Sequence, residues 1–221
     1  MIDILYIKNE QKLPLELINL IEELIGEVER EKGRRYIRWQ DRQAYLLGKY
    51  LLAKLLKKYR YSTTLLKKLE YTPFNRPFIN TKNLDFNVSH SGNFVVCAFS
   101  LDQVVGIDIE QIKAVDFKDF SYILSRSDND IIRNASNQYS SFFKIWSMKE
   151  AILKADGCGL VDNLDKLQIN GCTSIFNQQK FFLKEFEIHP QYASFVASVS
   201  PIENLEINEV STESFSTFIK D

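Results

Sequence analysis

The amino-acid sequence predicts a mixed fold of α-helices and β-strands. Residues 15–29 and 40–59 place their apolar side chains at the three- and four-residue spacing of amphipathic helices. Residues 2–7 and 94–100 have the β-branched and aromatic composition that is typical of strands. A helix-like segment and then another strand, at residues 194–200, follow later in the chain, so both kinds of element occur along its whole length.

The segments 94–100 and 194–200 resemble each other in their pattern of apolar and small residues. Each lies late in its own part of the chain, after a stretch that contains a helix, which indicates two similar halves. We therefore place a boundary near residue 103, between an N-terminal half of residues 1–103 and a C-terminal half of residues 104–221. No low-complexity linker separates them, so we expect the halves to pack directly on each other.

Turns and irregular segments separate the predicted elements. Residues 30–35 read Arg-Glu-Lys-Gly-Arg-Arg, a basic cluster at a turn that is either an anion-binding segment or a solvated helix end. Two prolines interrupt regular structure in residues 72–77. The polar residues 128–141 predict a loop, and the good helix formers that follow predict a helix that ends at Gly157 or Gly159.

Composition argues against several functional classes. The 221 residues are 45% hydrophobic and 26% charged, with a net charge of −1, which does not favour non-specific nucleic-acid binding. No apolar run approaches the length of a membrane span, and the opening strand-like segment is too short for a signal peptide. Cys97, Cys158 and Cys172 lack metal-ligand spacing, so we expect no structural zinc, and reduced thiols indicate a cytoplasmic protein.

The strand predicted at residues 104–110 carries Asp108 and Glu110 on one face, because side chains two residues apart on a strand point the same way. Neighbouring carboxylates repel each other, and a hard divalent cation between them relieves the repulsion. With Glu150 as a third oxygen ligand, the set matches an Mg²⁺ site that substrate phosphates complete. The alternative is a solvated face of an edge strand.

Two further groups suggest phosphate chemistry. Glu150 and Lys154 are four residues apart on the later helix and share a face, so they form either part of a functional site or a surface ion pair. His90 lies between two serines, just before a glycine and a strand, which is an exposed turn position. Its role there is either structural or that of a donor to a phosphate, which the serine hydroxyls would share.

Three motifs together resemble those of the Sfp-type 4′-phosphopantetheinyl transferases. Residues 87–92 read Asn-Val-Ser-His-Ser-Gly, residues 106–110 read Gly-Ile-Asp-Ile-Glu, and residues 146–154 read Trp-Ser-Met-Lys-Glu-Ala-Ile-Leu-Lys. The Asp-x-Glu pattern alone is weak, whereas the three motifs in this order and at these intervals are highly specific. The resemblance covers residues 30–160, with only architectural similarity beyond them.

The resemblance implies an α+β fold of two similar halves related by a pseudo-twofold axis, with coenzyme A in the cleft between them. The reaction it implies is transfer of 4′-phosphopantetheine to a serine hydroxyl of an apo acyl or peptidyl carrier protein, with release of 3′,5′-ADP. The implied metal is Mg²⁺, for which Mn²⁺ can substitute. The length of 221 residues favours the large two-half class over the short trimeric synthases, and hence a monomer. From the net charge and the absence of a long apolar run, we expect it to bind neither nucleic acid nor membrane.

Carried over residue by residue, the resemblance assigns a metal site and a catalytic pair. Asp108, Glu110 and Glu150 resemble the metal ligands. Glu150 also resembles the general base toward the carrier serine, acting directly or through water. Lys154 resembles the lysine that contacts the reacting phosphate, and Lys149 a neighbouring phosphate contact.

The resemblance also assigns contacts to the nucleotide end of coenzyme A. Ser89 and His90 match the contacts to the 3′-phosphate. Arg76 stands in Asn-Arg-Pro, where the family has a lysine or arginine that binds the nucleotide. Arg30 and Lys32 lie in the basic segment that meets the phosphates of the coenzyme.

The chain departs from the family at its first long helix, where Ala44 and Tyr45 precede Leu-Leu-Gly instead of the frequent arginine or threonine. Arg42 is two residues away and faces elsewhere on a helix, so the nucleotide-end contacts stay open. Two other functions fit parts of the pattern. The near-neutral charge argues against a metal-dependent nuclease, and the three carboxylates argue against a carrier-binding module without catalysis.

Overall fold

The computed structural model describes residues 1–120, 123–159 and 164–212. Within these ranges the chain forms an α+β fold with two sheets and a separate two-stranded hairpin, which confirms the predicted fold class. None of the helices in these ranges is long and apolar enough to cross a membrane. The helices are α1 (Leu15–Leu24), α2 (Glu27–Arg34), α3 (Trp39–Lys58), α4 (Arg126–Asn134) and α5 (Gln138–Asp156).

The strands, in chain order, are β1 (Ile2–Lys8), β2 (Leu69–Tyr71), β3 (Pro77–Ile79), β4 (Asp85–Ser91), β5 (Phe94–Ser100), β6 (Val105–Gln111), β7 (Ile169–Asn170), β8 (Thr173–Phe176), β9 (Gln179–Glu185), β10 (Tyr192–Ser198) and β11 (Leu205–Glu209). The first sheet has the order β11-β1-β5-β4 and the second the order β6-β10-β9-β8-β7, while β2 and β3 pair only with each other. The strands predicted at residues 2–7, 94–100, 104–110 and 194–200 are therefore confirmed.

The N-terminal half is built on α3 and the first sheet. α3 lies across β1 and β5, and its buried leucines share one apolar cluster with Ile7, Val95 and Phe99. Gly48 allows α3 to approach β4, because a Cβ there would lie 2.7 Å from the side chain of Val88. This packing fixes β4 at the edge of the sheet that faces the C-terminal half.

The single helix predicted over residues 15–29 is wrong, because the chain forms α1 and α2 with a break between them. Ile25 and Gly26 are extended, and a Cβ at Gly26 would lie 3.2 Å from the carbonyl oxygen of Lys67. Arg30 stabilises the break by donating to the carbonyls of Glu22 and Ile25, at 2.7 and 3.3 Å. The basic cluster therefore begins inside α2 and not at a turn.

The prediction of a loop over residues 128–141 is also wrong. α4 begins with a capping box, in which the Ser125 hydroxyl accepts from the Asp128 N–H and the Asp128 carboxylate accepts from the Ser125 N–H. α5 starts at Gln138, eight residues before Trp146, where the third motif begins. Polar residues predominate in α4 because it lies at the surface and buries only Asp128 and Ile132.

α5 packs against β6 and β10 in the C-terminal half. It ends where Gly157 adopts a φ of 80°, as the sequence predicts for this glycine, while Leu160 lies outside the described residues. β6 alternates as predicted, with Ile107 and Ile109 in an apolar cluster and the two carboxylates on the opposite face, toward α5.

The two halves share an apolar core, and the C-terminal half contributes one strand to the first sheet. Side chains of β1 and β5 pack against those of β6 and β10 in one cluster, which includes Ile4, Val96 and Ile107. After the second sheet the chain returns to the first, where β11 pairs in parallel with β1. The boundary near residue 103 stays a prediction, and residues 213–221 of the predicted C-terminal half lie outside the described residues.

Candidate active site

The candidate site lies where α5 crosses β6. A Cβ at Gly106 would lie 2.1 Å from the carbonyl oxygen of Ala151 and 2.3 Å from the nitrogen of Ala155, so only glycine permits this approach. The helix thus passes directly over the face of β6 that carries the two carboxylates. The edge strand β4 of the other half closes the site from the side.

Asp108 is the point at which three elements meet. Its Oδ1 lies 2.6 Å from Lys154 Nζ on α5 and accepts from Ser89 Oγ on β4 at 2.9 Å. Lys154 Nζ also donates to Ser89 Oγ at 2.9 Å. The Asp108 side chain is only 3% exposed, whereas that of Lys154 is 28% exposed and reaches solvent. Three residues predicted for the site are therefore in direct contact.

Glu110 is held by the side chains of Ser91 and Trp146, neither of which was predicted to contact it. Its Oε2 accepts from Ser91 Oγ at 2.8 Å, and its Oε1 accepts from Trp146 Nε1 at 3.0 Å. Burial raises the pKa of Glu110, and the charge of Asp108 raises it further. Binding of a cation would oppose both effects.

Glu150 lies on α5 one turn before Lys154, within the influence of the other site charges. Burial raises the pKa of Glu150 while Lys154 lowers it, and repulsion from Asp108 and Glu110 brings the net value to about 7. A carboxyl with such a pKa exchanges its proton near neutral pH, which suits a general base.

Among the residues that the structure describes, no three His, Cys, Asp or Glu side chains form a group close enough to hold a metal ion. Asp108 nevertheless has a second oxygen, Oδ2, that is buried without a hydrogen-bond partner. A buried carboxylate oxygen without a partner is costly, and a cation would satisfy it. Together with the raised pKa values of Glu110 and Glu150, this all-oxygen donor set fits Mg²⁺ in its chemistry.

His90 lies near these charges, although it is in β4 and not at the predicted turn, which comes at Gly92 with a φ of 53°. The pKa of His90 is lowered, first by desolvation and then by the charge of Lys154, while Asp41 and Asp108 act in the opposite direction. Because this pKa lies below the ordinary value of 6.5, His90 is neutral near pH 7, and an anion arriving beside Lys154 would favour its protonated form.

A cavity of about 210 Å³ opens beside Lys154, and Arg76, Asn87 and Gly157 contribute to its lining. Arg76 forms a bidentate pair with Asp85 at 3.0 and 2.7 Å and donates to the carbonyls of Lys154 and Val105 at 2.8 and 2.9 Å. It therefore joins β3, β4, β6 and the end of α5. The predicted nucleotide-binding arginine is part of the wall of the cavity.

Lys149 does not join the other predicted site residues. Its side chain is fully buried, and its ammonium donates to Asp128 at 2.7 Å and to the carbonyls of Ile123 and Leu164 at 2.6 and 3.0 Å. These acceptors use all three N–H donors of a lysine, so none is left for a phosphate. Lys149 holds α4 and the chain after α5 against the helix.

Arg30 and Lys32, the predicted phosphate contacts in the basic segment, both lie in α2. Arg30 is engaged with the end of α1, and Lys32 lies 3.1 Å from the ring centroid of Tyr71 and 3.8 Å from Glu29. Neither forms a hydrogen bond with Ser89, Asp108 or Lys154 within the described residues. The structure thus does not bring this segment into direct contact with the acidic site.

α2 is attached to α3 by a buried polar network centred on Glu29. Glu29 pairs with Lys49 at 2.5 Å and accepts from the hydroxyls of Tyr45 and Tyr71 at about 2.7 Å. Burial would raise the pKa of Glu29, but Lys49 and the two hydroxyls hold it below its ordinary value. Tyr45, the departure from the family pattern, is thereby committed to α2, while Arg42 pairs with Glu22 at 2.7 Å.

Comparison with known proteins identifies both parts of the chain. The family model of the 4′-phosphopantetheinyl transferase superfamily matches residues 104–204, and that of the N-terminal part of a 4′-phosphopantetheinyl transferase matches residues 15–102. The 4′-phosphopantetheinyl transferase Sfp of Bacillus subtilis is 29% identical over 86% of this chain and 88% of its own length.

Two other relatives extend this similarity. The 4′-phosphopantetheinyl transferase gsp of Aneurinibacillus migulanus is 28% identical over all of this chain and 96% of its own length. A Haemophilus influenzae protein that carries the same transferase name provisionally is 32% identical over 76% of this chain and 72% of its own length.

Proposed function

Because the chain belongs to the 4′-phosphopantetheinyl transferase superfamily and is an enzyme of the Sfp type, we propose that it modifies an apo carrier protein. The donor is coenzyme A, the acceptor is a serine hydroxyl of the carrier, and the second product is 3′,5′-ADP. The contact of Asp108 with Ser89 and Lys154, which unites three motifs at 2.6–2.9 Å, carries the proposal. Such a cluster suits phosphoryl transfer, which depends on positioning and charge neutralisation.

Each site residue has a role in this reaction. Asp108, Glu110 and Glu150 hold the Mg²⁺, which when bound neutralises the diphosphate of coenzyme A and aligns it. Lys154, the partly exposed ammonium of the site, binds the same diphosphate. Ser89 and His90 contact the 3′-phosphate. Arg30 and Lys32 lie in the basic segment that meets the phosphates of the coenzyme. Arg76 forms part of the wall of the cavity that receives the nucleotide.

The transfer step is a displacement at phosphorus. Glu150, which lies one turn before Lys154 on α5, accepts the proton of the carrier serine directly or through water. The serine oxygen forms a bond to the phosphorus that bears the pantetheine arm. The bond between that phosphorus and the bridging oxygen breaks, and 3′,5′-ADP leaves with the electron pair.

We further propose that the enzyme is a cytoplasmic monomer. Cys97, Cys158 and Cys172 are free thiols, which is consistent with a reducing compartment. The shared core between the halves supports a single chain as the working unit, because the cleft between them needs no second copy.

The test is the intact mass of apo carrier proteins after incubation with the enzyme, coenzyme A and Mg²⁺. We expect a gain of one phosphopantetheine group on at least one carrier, and no gain on the same carrier with its acceptor serine replaced by alanine. The absence of any gain across a panel of acyl and peptidyl carriers, with either Mg²⁺ or Mn²⁺, would contradict the proposal.

A further inference from the structure

The two halves meet at two edge strands that do not form a backbone ladder. β4 ends the first sheet and β6 ends the second, and they lie side by side without pairing as strands. An edge strand has unpaired N–H groups that need acceptors when they are buried. Alternate residues of β4 are polar, and these are Asp85, Asn87, Ser89 and Ser91.

The side chains of β4 supply those acceptors in a fixed register. The N–H of Val105 donates to Asp85 at 2.8 Å, and the N–H of Ile107 donates to Asn87 Oδ1 at 3.1 Å. The N–H of Gln111 donates to Ser91 Oγ at 3.1 Å. In every case donor and acceptor are 20 residues apart, so β6 follows β4 in parallel along a row of side chains, here called the polar seam.

The polar seam also contacts the carboxylates of β6. Ser89 Oγ donates to Asp108 at 2.9 Å, and Ser91 Oγ donates to Glu110 at 2.8 Å while it accepts from the backbone of β6. Asn87 accepts from the backbone N–H of Ile107, the residue before Asp108, and within the described part of the chain it forms no hydrogen bond with either carboxylate. The polar seam therefore sets both the position of β6 along β4 and the direction in which its acidic side chains point.

We propose that Asn87 and Ser91 are positioning residues of the transferase reaction, which fix where Asp108 and Glu110 stand relative to Ser89 and Lys154. This inference rests on the proposed function. A hydrogen bond that only stabilised the fold would leave metal affinity unchanged when lost. A hydrogen bond that orients ligand-bearing backbone would change metal affinity by about 10- to 100-fold.

The experiment measures Mn²⁺ affinity by electron paramagnetic resonance, with coenzyme A present and without any carrier protein. We expect Asn87→Ala and Ser91→Ala to weaken Mn²⁺ binding by about tenfold or more, and Ser91→Thr to restore it because the hydroxyl is kept. The concentration of Mg²⁺ at half-maximal transfer rises in parallel, while in Ser91→Ala, whose site of substitution is not among the lining residues of the cavity, the KM for coenzyme A changes by less than about threefold.

The matched control is Ser174→Ala, in β8. Ser174 is buried, as Asn87 is, and its hydroxyl donates to the carbonyl of Gln168 at 2.7 Å, in a strand that does not neighbour β6. This variant also loses one buried hydrogen bond, so its unfolding temperature falls but its Mn²⁺ affinity stays that of the parent protein.

Wild-type affinity for Mn²⁺ in folded Asn87→Ala and Ser91→Ala would overturn the inference and leave the proposed function intact. The absence of Mn²⁺ binding in the parent protein would instead overturn the metal role within the proposed function, and this inference with it. If Asn87→Ala does not fold, the pair Ser91→Ala and Ser91→Thr decides the question, since the two differ in the hydroxyl.

Discussion

Asp108 is the residue through which the two halves and α5 are connected at the site. It accepts from a serine of the N-terminal half and from a lysine of the C-terminal helix, and its remaining oxygen is buried without a partner. A residue with these contacts serves the chemistry more than the fold, because a buried carboxylate with an orphan oxygen is unfavourable for stability.

Replacing Asp108 tests this view. We expect Asp108→Asn to lower kcat/KM for transfer on the order of 100-fold or more. The substitution removes a single negative charge that serves both as a metal ligand and as the partner of the Lys154 ammonium. The unfolding temperature should stay within a few degrees of the parent protein, as the shape of the side chain is kept. Near-normal turnover in this variant would show that the metal site is misplaced.

Lys149 is the opposite case, a lysine of the third motif whose contacts stabilise the fold and do not face the site. Lys149→Met leaves Asp128 buried without its cation, so we expect urea unfolding to show a loss of about 3–5 kcal/mol. The fraction that stays folded should keep the KM for coenzyme A of the parent protein. A large rise in KM with unchanged stability would restore the phosphate contact that the sequence predicts.

The sequence indicates which of these two lysines lies in the site only through their spacing. Lys154 shares a face with Glu150. Lys149 is the residue directly before Glu150, so it points about 100° away from Glu150 around the helix axis. Its partner, Asp128, lies in a segment that the sequence predicts as a loop, so no buried acceptor is expected for it. The alternation of polar residues in β4 is the sequence feature that could have pointed to the roles of Asn87 and Ser91, because polar side chains along one face of an edge strand indicate that this face contacts other polar groups.

At the scale of elements, the sequence predicts those with strong apolar periodicity and misses those whose boundaries depend on contacts elsewhere. α3, α5 and the strands β1, β5, β6 and β10 are predicted because their apolar faces are buried. The break between α1 and α2 depends on the backbone of Lys67, which is distant in sequence. The capping box at Ser125 is a local sequence signal for the start of α4, although the polar composition of the segment favours a loop.

The crossing of α5 over β6 depends on Gly106. We expect Gly106→Ala to cost at least about 2 kcal/mol in urea unfolding and to abolish transfer, because the added Cβ meets helix backbone that cannot rotate away. Gly33→Ala, in α2, is the control. Its Cβ would meet the ring of Tyr45 at an ordinary 3.4 Å, so stability should be unchanged or higher. Equal effects of the two substitutions would contradict this account.

The attachment of α2 to α3 should depend on pH through Glu29. Because the pKa of Glu29 is lowered in the folded protein, its stabilising contribution is fully present above the ordinary value of 4.5 and is lost as pH falls through the lowered value. We expect Glu29→Gln to be less stable than the parent protein by about 3 kcal/mol at pH 7, with the difference shrinking below pH 4.5.

Urea unfolding at pH 7, 5, 4 and 3 would follow the difference between the two proteins. As the pH falls below 4.5, protonation of Glu29 removes the charge that Glu29→Gln lacks at every pH, so the two stabilities should approach each other. A difference that stayed constant down to pH 3 would show that Glu29 contributes through shape and not through its charge.

At the scale of the whole molecule, the return of β11 to the first sheet makes the halves interdependent. Lys58 on α3 pairs with Asp3 of β1 and, at 2.8 Å, with Glu206 of β11, so the strand is held by charge as well as by backbone hydrogen bonds. The sequence did not predict this strand, because only its partly buried Leu205 and Ile207 contact the core.

Truncation tests the interdependence. A chain of residues 1–203 lacks β11, and a chain of residues 1–212 keeps it, so the pair isolates the strand. We expect the shorter chain to unfold at a temperature lower by about 10 °C or more, in calorimetry, and to lose transfer activity. Equal unfolding temperatures would show that β1 is stable as a free edge.

The return of β11 also has a consequence for synthesis on the ribosome. About 200 residues separate β1 from its partner β11, so at about 5–20 residues per second β1 waits roughly 10–40 s for this partner. During that time the nascent N-terminal sheet offers an open, apolar edge to other chains. Slow translation or high expression should therefore increase association of incomplete chains, even though the finished enzyme hides that edge.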